Sequence, residues 1–277
     1  SMHAGSPVSN LPEHPVMRLI TKSALLLLAA TSLPACHMSL SADSVSERGG
    51  VLYMDEVPLE FERQVELNGP AQDLDLRFAT HTGQIDLTGS TDGQVSLILD
   101  LHTEFEGDGD VTMSGGSLVT RSERGGRVLV NGIRGSIPVD ASLHVQSGTG
   151  RIVIRSMTGG NDLDIDTGTG TVFVSGGSFT SIRVSSGTGD LRLDDLAAES
   201  LRVNSGTGAT SAEGSQFGSV RADSGTGGFH FVRCDVEQAD FRSGTGDVRL
   251  DDSLVGRLET SLGTGDVRMD GVDTTVR

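Results

Sequence analysis

The stretch Ile182-Arg183-Val184-Ser185-Ser186-Gly187-Thr188-Gly189-Asp190-Leu191-Arg192-Leu193-Asp194 decides the fold. On both sides of a Gly-Thr-Gly tripeptide, apolar side chains alternate with polar ones, the period of a strand with one buried face. The same tripeptide stands at Gly148/Gly150, Gly168/Gly170, Gly187/Gly189, Gly206/Gly208, Gly225/Gly227, Gly244/Gly246 and Gly263/Gly265, spaced 20, 19, 19, 19, 19 and 19 residues apart. Leu143/Val145, Leu163/Ile165 and Leu201/Val203 precede it, while Ile152/Ile154, Val172/Val174 and Val248/Leu250 follow. Each repeat thus holds two strands of about five residues joined by the Gly-Thr-Gly corner, and a second, variable corner.

A coil of this size cannot bury its apolar face alone, but it can when stacked on copies of itself. The expected fold is all-β: a single parallel β-solenoid, or β-helix, with a right-handed coil of ~19 residues and a divergent N-terminal cap. A sharp corner repeated in register calls for positive φ, which glycine adopts freely. The threonines between the glycines, Thr149 through Thr264, would form a ladder at about 4.8 Å spacing. A phosphate-cradling reading of these glycines needs a lysine or a following helix, and the sequence offers neither there.

Upstream the pattern degrades. Thr82-Gly83-Gln84-Ile85-Asp86-Leu87, Gly107-Asp108-Gly109-Asp110-Val111 and Gly125-Gly126-Arg127-Val128-Leu129-Val130 read as divergent coils. Residues 51–78, including Phe61-Glu62-Arg63-Gln64-Val65 and Leu74-Asp75-Leu76, read as entry strands that cap the N-terminal edge. About ten coils would give a rod of about 50 Å.

The first 36 residues read as an address. Arg18 and Lys22 follow Met17, and Ser23 to Ala30 is an apolar run too short to span a bilayer. Leu33-Pro34-Ala35-Cys36 has the form of a lipobox, with Pro34 in an unusual place, and Cys36 is the expected lipidation site. The expected organisation is a leader or misassigned start over 1–16, a lipoprotein signal peptide over 17–36, a polar tether over 37–50 and an adhesin-like solenoid domain over 51–277. Removing Arg18, Lys22 and Glu13 from totals of 21 basic and 38 acidic residues leaves 19 and 37, a net charge of −18. Such a surface repels nucleic acid and anionic lipid, so membrane contact is expected only through the anchor.

Lys22 is the sole lysine, which removes lysine bases and Schiff-base chemistry from the mature chain. Cys234 is the sole cysteine besides Cys36, so no internal disulfide framework is available. With no Trp and one Tyr, the chain lacks the rings on which sugars stack in lectin grooves.

Three constellations bear on chemistry. Asp190, Asp247 and Asp266 follow their corners directly, and Asp247 and Asp266 are the nearest candidates for a metal site. The column is broken by Ala209 and Gly228, and Arg192, Arg249 and Arg268 lie where they would pair it, so no metal and no cofactor is expected. Arg183, Arg202 and Arg221 form an outward column, with Asp164 and Asp240 at its ends, and are the expected ligand-facing residues. His81, His102, His144 and His230 are spread over distant coils without evident ligand partners. Ser-Gly-Thr-Gly is not a nucleophile elbow, and Cys234 reads as a small packing residue or an inert thiol.

The recurrent Ser-Gly-Thr-Gly-Asp-(Leu/Val)-Arg-(Leu/Met)-Asp at 186–194, at 243–251 and, with Leu262 for the serine, at 262–270 resembles the bacterial "putative adhesin" family of β-helical domains of unknown function. Residues 82–89 are similar to that family's first coil. The resemblance implies the fold, frequent export behind a signal peptide or lipobox, and no catalytic motif. The function expected is non-catalytic: adhesion, scaffolding or ligand binding at the bacterial envelope, toward an envelope, host-surface or glycan partner. A polysaccharide lyase or hydrolase built on a β-helix is the enzymatic alternative, and a periplasmic signalling or assembly accessory is the third. End-to-end pairing of two copies is expected from the open C-terminal edge.

Overall fold

The computed structural model describes the backbone of Cys36–His37 and residues 45–273. The expected leader, the expected signal peptide apart from the Cys36 backbone, and residues 38–44 of the expected tether lie outside the described residues, as does the side chain of Cys36. Every regular element among the described residues is a strand.

The repeats stack in parallel register. Before the corner, Leu143 pairs with Leu163, Leu163 with Ile182, Ile182 with Leu201 and Leu201 with Val220. After it, Ile152 pairs with Val172, Val172 with Leu191, Leu191 with Thr210 and Thr210 with Phe229. The corner threonines stack as expected, Thr188 on Thr169 and Thr207 on Thr188. The seven Gly-Thr-Gly corners and the earlier Thr82-Gly83 corner join eight rungs. The stack measures about 34 Å from first rung to last, shorter than the ten coils expected.

The two glycines of a corner are not equivalent, and the expected positive φ falls on one of them. Only the second glycine adopts it: Gly170, Gly189, Gly208, Gly227, Gly246 and Gly265 have φ of 153°, 143°, 138°, 155°, 151° and 144°. Gly150, the second glycine of the first corner, departs from this set and lies outside the positive-φ region, as do all seven first glycines. Space dictates those residues instead. A Cβ on Gly150 would stand 2.3 Å from the Gly83 carbonyl oxygen, and one on Gly168 would stand 2.6 Å from that of Gly148.

Each coil has three faces where the sequence suggested two. Face 1 follows the Gly-Thr-Gly corner and face 3 precedes it; between them lies a short face 2, in which Leu196 pairs with Gly177, Phe217 with Ala198 and Val236 with Phe217. The turn from face 1 to face 2 is a single residue in the left-handed region. Ser156, Asp195, Arg233 and Asp252 hold it at φ 59°, 55°, 51° and 48°. Glycines fill the same place in the other coils. Face 2 escapes a reading by periodicity because it places one or two side chains inward, too few to show a period.

Of the three expected divergent coils, the one at residues 82–87 is a rung of the stack and the other two are not. Asp75–Thr80 and Ile85–Ser90 are the first true rung, parallel to Ser142–Thr149 and Ile152–Thr169. Val128–Pro138 runs parallel to Ile85–Ser90 but antiparallel to Gln94–Thr103, which is antiparallel to Phe61–Pro70. Asp110–Ser114 and Ser117–Arg121 form a hairpin, with Cys36–His37 antiparallel to its second strand. Residues 107–111 and 125–130 are therefore parts of an antiparallel cap and not coils. Leu76, read as part of the cap, is core of the first rung. Val45–Arg48, Val51–Met54 and Val57–Leu59 make a separate three-stranded sheet, so strand structure begins inside the expected tether.

One apolar core runs from Leu76 to Val255 through the cap and the coils. Leu191, Leu193, Leu196, Leu201 and Val203 of one coil are each buried. Such a side chain contributes roughly 1.5–3 kcal/mol when withdrawn from water. Near the C-terminal end Phe229, Phe231 and Phe241 fill the interior, with ring centroids 5.1–5.2 Å apart. On Val267–Asp270, Val267 and Met269 are 41% and 55% exposed, with no further rung over them among the described residues.

Candidate ligand-binding face

Face 3 carries the outward columns of interest. Cross-strand pairing places His144, Asp164, Arg183, Arg202, Arg221, Asp240 and Glu259 in one column, in that order. Two residues nearer the corner, a parallel column runs Gln146, Asp166, Ser185, Asn204, Asp223, Arg242 and Ser261. The period of two on a parallel strand forces both columns to the solvent side while Ile182/Val184 and Leu201/Val203 point inward.

The arginines differ in their partners. Arg221 lies 3.3 Å from Asp223 and 3.7 Å from Asp240. Arg242 binds Asp240 through two nitrogens at 3.2 and 2.8 Å. Arg257 pairs with Glu259 at 2.5 Å. Arg183 and Arg202 are exposed, and among the described residues neither forms an ion pair within 4.0 Å. These two expected ligand-facing residues are thus adjacent unpaired cations, and the third, Arg221, is neutralised.

Two grooves flank the columns. On one side Arg183, Arg202, Arg221 and Arg257 line an open groove of about 540 Å³. On the other, a larger groove of about 1070 Å³ follows the first glycines of the corners from Gly148 to Gly263. Its walls are glycine backbone and the serine column, with Asp166, Asp223 and Arg242 along it. Thr167, Ser186, Ser205 and Ser224 along this groove carry buried hydroxyl oxygens with no hydrogen-bond partner. The second glycines, Gly150, Gly170, Gly189, Gly208, Gly227, Gly246 and Gly265, stand apart from the groove lining. Each instead packs on the corner one rung away: a Cβ on Gly227, Gly246 or Gly265 would lie 1.9, 2.2 or 2.1 Å from the oxygen of Gly208, Gly227 or Gly246. Both sets of corner glycines named from the repeat therefore serve the stack, and only the first set also borders a groove.

The acid columns of face 1 make local contacts. Asp190 accepts the Ala209 N–H at 2.9 Å and Asp247 accepts the Asp266 N–H at 2.9 Å, so both tie one corner to the next. Arg192 and Arg249 pair with Asp194 and Asp251 at 2.7 and 2.6 Å, and Arg268 lies 3.5 Å from Asp266. A hydrogen bond from His230 at 2.8 Å, with Arg249 beside it, lowers the Asp251 carboxyl below the usual carboxylate range.

Histidine placement corrects one expectation. His144 is not isolated: the 20-residue coil sets it opposite Asp164, 3.3 Å away, and beside Asp166. The one spacing of 20 among spacings of 19 is the signal that would have found this. Cys234 is buried at the inner side of the turn between faces 1 and 2, its Sγ near the Val232 and Ala212 carbonyl oxygens. Burial pushes its thiol up, the environment of a packing residue.

Fold and site together define a short-coil parallel β-solenoid with an antiparallel cap and a charged, grooved face. The chain belongs to the Toastrack DUF4097 family, whose sequence profile matches residues 106–276. Among solved structures it is similar to a "putative adhesin" from Bacteroides fragilis, at 17% identity and a TM-score of 0.53, over 75% of this chain and 97% of that one. A "putative cell adhesion protein" from Clostridium sporogenes aligns at 9% identity and a TM-score of 0.32, over 77% of this chain and 100% of that one. No curated protein sequence matches the chain.

Proposed function

We propose that the chain is an exported, lipid-anchored binding protein of the bacterial envelope that adheres to or scaffolds an anionic partner through face 3 and carries out no reaction. The carrying observation is the pair Arg183 and Arg202, adjacent cations without carboxylate partners on a protein of strong negative charge. An acidic chain leaving two neighbouring arginines unpaired, beside a groove, presents a local positive field to a linear anion. Solenoid faces suit extended ligands because equivalent positions recur at about 4.8 Å. The lipobox at Leu33–Cys36 supports the anchor, and the name given to the Bacteroides protein accords with adhesion.

Arginine and carboxylates on a β-helix face also suit a lyase. Against that, the carboxylates beside Arg221, Arg242 and Arg257 are occupied: Asp240 by Arg242, Asp223 by Arg221 and Glu259 by Arg257. A second copy of the chain is a further proposed partner, supported by the exposed apolar side chains Val267 and Met269 on the outermost described rung.

Probing the immobilised protein with a panel of acidic and neutral oligosaccharides tests the reading. Retention of acidic members, weakened by added salt, supports it. Binding of none, or release of unsaturated products from polyuronates, overturns it.

A further inference from the structure

We infer that His144, Asp164 and Asp166 form a binding site for a zinc-class divalent cation on face 3, with Gln146 as its positioning residue. Each offers one ligand atom, and the three atoms lie within 4.8 Å of one another. The His144 Nδ1 and Asp164 Oδ2 atoms are 3.3 Å apart. Ligands about 2.0–2.1 Å from a tetrahedral ion stand about 3.3–3.4 Å from each other, so this pair already spans one edge of such a site. Asp166 lies two residues along the strand from Asp164 on the same outward side, with a carboxylate oxygen within 4.8 Å of the other two ligand atoms.

The donor chemistry selects the ion. One imidazole nitrogen with two carboxylate oxygens suits zinc and its neighbours, whereas calcium takes six to eight oxygens. Three protein ligands leave a fourth position open to water or to an anionic group of a ligand.

Gln146 supplies what a ligating histidine needs behind it. Its amide nitrogen lies 2.9 Å from His144 Nε2. When Nδ1 binds an ion, Nε2 carries the proton, and the amide turned by half a rotation presents Oε1 to accept it; the two amide orientations fill the same space. The site is part-buried, on a rigid sheet whose register fixes His144 opposite Asp164. The neighbouring cations leave room for the ion: Arg77 is held by Asp75 at 2.6 Å, and Arg183, paired in register with Asp164, forms no ion pair with it.

Zinc titrated calorimetrically into the purified full chain tests this, with wild type compared against His144→Ala, Asp166→Asn and Gln146→Ala. Because other histidines and Cys36 can take up zinc, the readout is the difference between variants. The wild type is expected to bind one ion more per chain than His144→Ala or Asp166→Asn, and Gln146→Ala to weaken that ion by about 10-fold or more. Asp247→Asn, on another face, should leave it unchanged. Circular dichroism of each variant confirms that the solenoid is intact. Equal stoichiometry and affinity in wild type and His144→Ala, with both folded, overturns the assignment.

Discussion

A Cβ placed on Gly206 would stand 2.5 Å from the carbonyl oxygen of Gly187, one rung away. Backbone meets backbone at this corner with no room for a side chain. Two residues on, Gly208 has φ of 138°, and a Cβ there would lie 2.1 Å from the Gly189 oxygen. The first glycine is demanded by stacking, the second by stacking and dihedral together. Gly206→Ala is therefore expected to lower stability by about 3 kcal/mol, by strain and a shifted rung. Thr207→Ala, between them and exposed, should cost under about 1 kcal/mol. Chemical denaturation of the two variants checks the contrast.

Ser156 holds the turn from face 1 to face 2 at φ 59°, where glycine serves in the equivalent turn at Gly176. Ser156→Gly removes a Cβ from the left-handed region, at some cost in unfolded-chain entropy. The expected result is a gain of about 0.5 kcal/mol, read as a higher denaturation midpoint with unchanged slope.

Asp108 is a buried carboxylate in the antiparallel cap. Burial pushes its carboxyl up, but hydrogen bonds from the Ser122 hydroxyl and from the Gly109 and Glu123 N–H groups, with Arg124 nearby, outweigh this and lower it. A carboxyl lowered by folding stabilises at pH above its unfolded value, about 4, and the contribution is lost as the pH falls through the lower folded value. Thermal melts should accordingly be steady near neutrality and fall below about pH 4. Asp108→Asn should melt lower than wild type at pH 7, and the two should converge in acid. A constant difference down to pH 2 would contradict this role.

Cys234 is shut inside the stack with a raised thiol. In a Cys36→Ala background it should be silent toward a thiol reagent at neutral pH and react fully in denaturant. Rapid labelling of the native protein would place it elsewhere.

How much of this was legible follows from what each feature needs. The corner glycines could be read because stacking tolerates no alternative, as at Gly206 and Gly187, so the register is written in the chain. Their division of labour could not: Gly148 and Gly150 flank Thr149 alike in sequence, and only the stack shows which one borders the groove. The partner direction of a strand is also hidden. Leu97, Leu99 and Leu101 alternate as well as Leu191 and Leu193, yet the first set lies antiparallel in the cap. Period two reports one buried face and is silent about neighbours. The arginine column followed from the repeat alone, but which guanidinium is free depends on Asp223 and Asp240, set by pairing across rungs. His144 meets Asp164 because one coil is a residue longer than the rest, and a histidine 20 residues from an aspartate looks remote until the rungs stack.

The most direct test of the account is binding of an acidic oligosaccharide by the wild type and by the double variant Arg183→Glu/Arg202→Glu, at two salt concentrations. The two positions are exposed, so the variant should keep its fold and melting temperature. The account predicts salt-sensitive binding by the wild type and a loss of at least about 10-fold in the variant, since two attractive contacts become repulsive. Equal affinity in both proteins, or binding indifferent to salt, would contradict it.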